Sequence, residues 1–143
     1  MFDSENPVNK LCAEGMMLEG EAKSQEALKC FTRAWDIAQN DFERFTAAHY
    51  VARHQADVSG KLHWDKTALD LALSIDTSEV KALYPSLYLN VAKCHEDMGD
   101  FKLAFENYST AKQYTAFLPQ DGYGDMIKKG VDAGITRVRG NEF

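Results

Sequence analysis

The side chains of this 143-residue chain that could do chemistry are four histidines, three cysteines and a short acidic cluster. Histidine serves as general acid, general base or metal ligand, but only when a second group stands at the right spacing. His49 and His54 are five residues apart, which puts them on different faces of a helix. His63 stands alone, and His95-Glu96 begins an HExxH motif that goes no further. Cys12, Cys30 and Cys94 form no CxxC pair and lie in apolar-periodic runs, so they read as reduced core thiols. A Cys-His dyad would have to assemble in space, for example from Cys94 and a histidine of the third helix. Glu96, Asp97 and Asp100 cluster at a helix end and read as solvated carboxylates. Tyr84, Tyr88, Phe101, Phe105 and Tyr108 recur at helical spacing and read as core. There is no phosphate-binding glycine loop, and no strand to precede one. No catalytic residue, metal-ligand set or cofactor site follows from these patterns, and the chain reads as a non-enzyme.

The net charge of −6 opposes binding to nucleic acid, which depends on neutralising phosphates. Lys128, Lys129, Arg137 and Arg139 form a local basic cluster that a helix dipole accounts for. The first ten residues, MFDSENPVNK, show neither the basic nor the apolar stretch of a leader, and no apolar run reaches membrane-spanning length. Neither a membrane nor a nucleic acid is expected as partner, and the cytoplasm is the expected location.

The elements that must position any site are helices. Asn6-Pro7 is a helix start, because Asn accepts from free N–H groups and Pro at the first position loses no bond. The first helix runs from about 7 to 19, with Leu11, Gly15 and Leu18 inward and Gly20 closing it. The second covers about 23 to 38, with Ala27, Leu28, Phe31, Ala34, Trp35 and Ala38 at offsets of three and four. The third starts near Asp41 and ends at Ser59-Gly60; the fourth spans about 62 to 75. Asp76 and Glu79 suggest a capping box for a fifth helix that ends at Met98 and is kinked or interrupted at Pro85. The sixth spans about 100 to 116 and the last about 124 to 137. About seven helices and no period-two window make the chain all-α.

Self-similarity then organises the list. When residues 11–38 are set under residues 88–115, an offset of 77, Gly15 falls on Ala92, Leu18 on His95, Ala27 on Ala104, Phe31 on Tyr108 and Ala34 on Ala111. Small residues allow helices to approach closely while Phe31 and Tyr108 fill the flanking space. This alternation of small and large residues resembles the tetratricopeptide repeat over residues 8–118. The resemblance implies a right-handed α-solenoid of antiparallel helix hairpins in a single domain, 1–143. Its repeats would be 8–40, 41–76 and 77–118, followed by a capping helix over 122–139. Two 34-residue repeats leave nine of the 77 residues over, and DTSEVKALY (76–84) accommodates them. The middle repeat is inferred by continuity, and His95 departs from the aromatic favoured there.

What the resemblance implies for function is a scaffold or adaptor that binds a protein or peptide in its concave groove. By the 3.6-residue period the groove side carries Asn9, Cys12, Ala13 and Met16 on the first helix. On the fifth it carries Ser86, Asn90, Lys93 and Asp97. Chaperone-tail binders of this class clamp a carboxylate with Lys, Arg and Asn, whereas here only Asn90 is compatible, so that ligand is not expected. A regulatory ligand-sensing domain associated with an enzyme and a homodimerising assembly module are the alternatives.

Overall fold

Asn6 does what its position before Pro7 predicts: its Oδ1 accepts from the Val8 and Asn9 amides at 2.8 and 3.1 Å and opens the first helix. In the computed structural model, which describes residues 3–141, the protein is all-α. Met1, Phe2, Glu142 and Phe143, included in the expected 1–143 domain, lie outside the described residues. Among the described residues the α-helices are α1 (Pro7–Gly20), α2 (Ser24–Ile37), α3 (Asp41–Val51), α4 (Val58–Ile75), α5 (Ser78–Lys81), α6 (Tyr84–Asp97), α7 (Phe101–Gln113) and α8 (Gly122–Arg139). Short 3-10 turns at Ala52–His54 and Thr115–Phe117 follow α3 and α7.

Among the boundaries that differ from the sequence reading, three have a clear local reason. Asp57 caps α4 by accepting from the Gly60 amide at 2.8 Å, so Ser59-Gly60 lies in the first turn of α4 and does not close α3. Thr77, and not Asp76, caps α5, while Asp76 takes a left-handed φ of 50°. Pro85 falls in the first turn of α6, where its missing N–H costs no bond, so the chain interrupts there and starts a new helix. That interruption makes eight helices of the expected seven.

The chain divides into two compact units, Met1–Ser74 and Ile75–Phe143. In the first, α1 and α2 form a hairpin against which α3 packs. Asn6, just before α1, donates to Glu43 in the first turn of α3 at 2.8 Å, and Glu19 in the last turn of α1 meets Arg53 just past the end of α3 at 3.1 Å. Contacts that join start to start and end to end make α1 and α3 parallel, with α2 reversed against both. Val8, Cys12, Ala27, Phe31, Ala34, Ala47 and Val51 form one core cluster, and Trp64 of α4 packs on it through an edge-on contact with Trp35 at 5.0 Å.

The second unit is built the same way. A hairpin of α6 and α7 takes α8 against it. A Cβ on Gly130 would lie 3.4 Å from Leu89, and Glu96 meets Arg137 at 2.8 Å, so α6 and α8 also run parallel. The core includes Ala92, Ala104, Tyr108, Ala111, Ile127, Val131 and Val138. Fully burying a ring such as Phe31 or Tyr108 contributes about 2 to 3 kcal/mol, among the largest single apolar terms in each unit.

The two hairpin turns are superimposable in their bonding. The Lys23 amide donates to the Leu18 carbonyl at 2.9 Å and the Ala22 amide to Glu19 at 3.0 Å. Seventy-seven residues on, the Asp100 amide donates to His95 at 2.9 Å and the Gly99 amide to Glu96 at 3.0 Å. Both are Schellman closures, which need a left-handed residue at the position of Ala22 and Gly99. Their φ angles are 61° and 81°.

Candidate functional site

The residues expected on the groove side fall on one face of α1 and one face of α6. Asn9, Ala13 and Met16 recur at offsets of four and three on α1; Ser86, Asn90, Lys93 and Asp97 recur at four, three and four on α6. The offset of 77 maps Asn9 onto Ser86, Ala13 onto Asn90 and Met16 onto Lys93, so the two stripes are the same helix face met twice. On α1 that face is apolar at its C-terminal end, where Met16 is 43% exposed beside Met17 at 68%. On α6 it is polar throughout.

Cys12 does not belong to the stripe. It is 3% exposed, in the buried row with Val8 and Gly15, and burial pushes its thiol up to about 11. Its spacing of four from Val8 and three from Gly15 carries that signal, which the reading centred on Leu11 passed over. Asn9 donates from Nδ2 to the Asp3 carbonyl at 2.9 Å, tying the chain ahead of α1 to its first turn. Ser86 donates to the Leu83 carbonyl at 3.0 Å and is half-buried. Lys93 and Asp97 form an exposed ion pair at 2.7 Å, of the kind worth at most about 1 kcal/mol and therefore readily exchanged for another partner. Asn90 is half-buried, and its side chain makes no hydrogen bond among the described residues.

Two polar clusters that the sequence reading missed stand where the third helix of each unit passes the end of the first. Glu96, read as solvated, accepts from Arg137 through Nε at 2.8 Å and Nη2 at 3.0 Å, and from the Tyr108 hydroxyl at 2.7 Å. The Arg137 hydrogen bonds, aided by that hydroxyl, hold the Glu96 carboxyl below the usual range. Burial and the Glu96 bond push the Tyr108 phenol up. Arg137 is therefore a clamp and not merely a cation at a helix end. In the first unit Glu19 accepts from Arg53 at 3.1 Å and bonds His54 Nε2 at 2.6 Å. Phe31 has no hydroxyl to match Tyr108, and His54, stacked on Phe31 at 5.9 Å, supplies the second contact. The alignment that pairs Leu18 with His95 also pairs Glu19 with Glu96, so the signal was present in the repeat.

The remaining candidates are dispersed. Cys94 is buried and Cys30 half-buried. His49 lies among Phe45 and Tyr50, its buried Nδ1 unbonded, and burial lowers its pKa. His63 is exposed, edge-on to Trp64. Among the described residues no three His, Cys, Asp or Glu side chains converge as a metal site would require, and no helix is long and apolar enough to cross a membrane. Compared with protein-family models, with curated proteins and with solved structures, the chain matches none.

Proposed function

We propose that this chain is a helical-repeat scaffold of the tetratricopeptide kind, a right-handed stack of hairpins that binds a protein or peptide segment and catalyses no reaction. The observation that carries this reading is the recurrence, 77 residues apart, of one helix face within the same three-helix surroundings. Parallel first and third helices with a reversed second helix between them support a stacked repeat. The partner we infer presents a polar or charged group to Asn90 and Lys93 on α6. Three thiols without a sequence-local partner fit work in the cytoplasm.

The test is a selection of displayed linear peptides against the full chain, with N90A/K93A as the counter-screen. Enriched peptides are expected to bind the double variant about 1 to 3 kcal/mol more weakly, roughly 5- to 150-fold, at an unchanged melting temperature. Peptides that bind both proteins equally would remove the α6 face from the proposal.

A further inference from the structure

The likeness of the two units breaks at one place. In the first unit a fourth helix, α4, comes against α2 and the end of α3: Trp64 packs on Trp35 and on the core that includes Ala34, Ala47 and Val51, and a Cβ on Gly60 would stand 3.1 Å from Gln55. The second unit has no such helix among the described residues, because α8 is its last element. The matching seat can be located residue by residue. On the second helix the offset of 77 takes Trp35 to Lys112.

On the third helix the offset is 84, set by two independent contacts. Arg53 and Arg137 each bond the equivalent glutamate. Tyr50 stacks on Phe31 at 5.0 Å where Gly134 approaches Tyr108. The same offset takes Val51 to Ile135. Lys112, Ser109 and Ile135 all line one open cleft of ≈ 460 Å³ between α7 and α8, whose other walls include Asp132, Thr136 and Arg139. The place where α4 meets Trp35 in one unit is thus an open cleft in the other.

Its chemistry has changed with its occupancy. Trp35 became Lys112, whose Nζ lies 3.0 Å from Asp132 with both side chains exposed. Arg139 adds a second cation, its guanidinium over the Phe105 ring at 5.7 Å. Two cations against one carboxylate leave the walls positive, while Ile135 supplies an apolar floor. We infer that this cleft is a second docking site, distinct from the α1 and α6 faces, and that it takes an amphipathic helix of another protein. That helix carries a carboxylate for Lys112 and Arg139, and an apolar residue one turn away for Ile135. A helix is the occupant because a helix is what the same frame holds in the first unit, and an acidic one because of the charge.

The experiment selects 18-residue amphipathic helices, displayed on phage, against the full chain, and measures the winners by fluorescence anisotropy. They are expected to carry an acidic residue three or four positions from an apolar one, and to bind K112E/R139E at least 10-fold more weakly. They should bind N90A/K93A as tightly as the parent, which separates this site from the one proposed above. Lys112 and Arg139 are exposed, so the reversal variant should stay folded, as its far-ultraviolet ellipticity checks; S109W, which fills the cleft without changing charge, should abolish binding as well. Equal affinity for parent and K112E/R139E, or winners without an acidic residue, would overturn the inference. So would a concentration-dependent dimer by light scattering that K112E/R139E dissolves, since the occupant would then be a second copy.

Discussion

Within the first unit, a ring at the centre of the second helix is flanked by Gly15 on one side and by the Tyr50 ring on the other. A Cβ on Gly15 would stand 2.3 Å from Phe31. Within the second unit the order is reversed: Ala92 holds the position of Gly15, and the glycine is on the far side, where a Cβ on Gly134 would stand 2.4 Å from Tyr108. Each ring needs one bare backbone beside it, and the two units supply it from opposite neighbours. The frame therefore constrains the volume around the ring and not the identity of any one position, which is how two sequences of low likeness keep one construction.

The largest way to break this comparison is to close the bare side. Gly15→Ala and Gly134→Ala should each destabilise by about 1 to 3 kcal/mol in urea titration, because the methyl has no room against a fully buried ring. Gly15→Ala puts into the first unit the residue that the second unit already has, so its cost measures how far Phe31 has shifted toward α1. Two neutral substitutions would mean that the rings move freely and that the reversal is incidental.

An effect of comparable size tests the polar clamp of the second unit. Glu96 is held by two side chains and its own side chain is only 13% exposed, so Glu96→Gln should cost about 1.5 to 3 kcal/mol near neutral pH. Because its folded-state pKa lies below the unfolded value of roughly 4.3, that contribution is complete above the unfolded pKa and is lost as pH falls through the folded one. The parent should therefore lose stability below about pH 4.5 more steeply than Glu96→Gln does, as read from melting temperatures across the acid limb. Parallel acid limbs would show that the carboxylate is dispensable there.

The smallest effect sharpens the comparison in the opposite direction. The first unit carries Ala22-Lys23 where the second carries Gly99-Asp100. Ala22 sits in the left-handed region, which favours glycine, and Lys23 makes no side-chain cap, whereas Asp100 accepts from the Leu103 amide at 3.1 Å. Ala22→Gly and Lys23→Asp should each stabilise by about 0.5 to 1 kcal/mol, and Gly99→Ala should cost a similar amount. A calorimetric shift of about 2 to 4 °C per substitution is the size to look for.

These turns also mark what could be read in advance. The hairpins were legible because close approach demands Ala or Gly at fixed places, and Gly99 announced its own turn. Ala22 announced nothing: its turn is imposed by the packing of α1 on α2, and the reading put the stop at Gly20, which is helical. Asp57 and Thr77 were hidden by more conspicuous neighbours, Ser59-Gly60 and Asp76. In the candidate site, Ala13, Met16, Asn90 and Lys93 followed from periodicity alone, while Cys12 was misplaced because a thiol reads as either polar or apolar. The clamps at Glu19 and Glu96 escaped because their partners lie 34 and 41 residues away, beyond any local window.

The Trp35–Trp64 contact has a practical consequence. These are the only two tryptophans in the chain, and both belong to residues 1–74. Indole emission therefore watches that half alone, while tyrosine is the strongest intrinsic fluorophore of residues 75–143. A denaturation curve followed by selective indole excitation reports on one half, and far-ultraviolet ellipticity reports on both. The distance between the two midpoints measures, without any label, whether the halves unfold in one step.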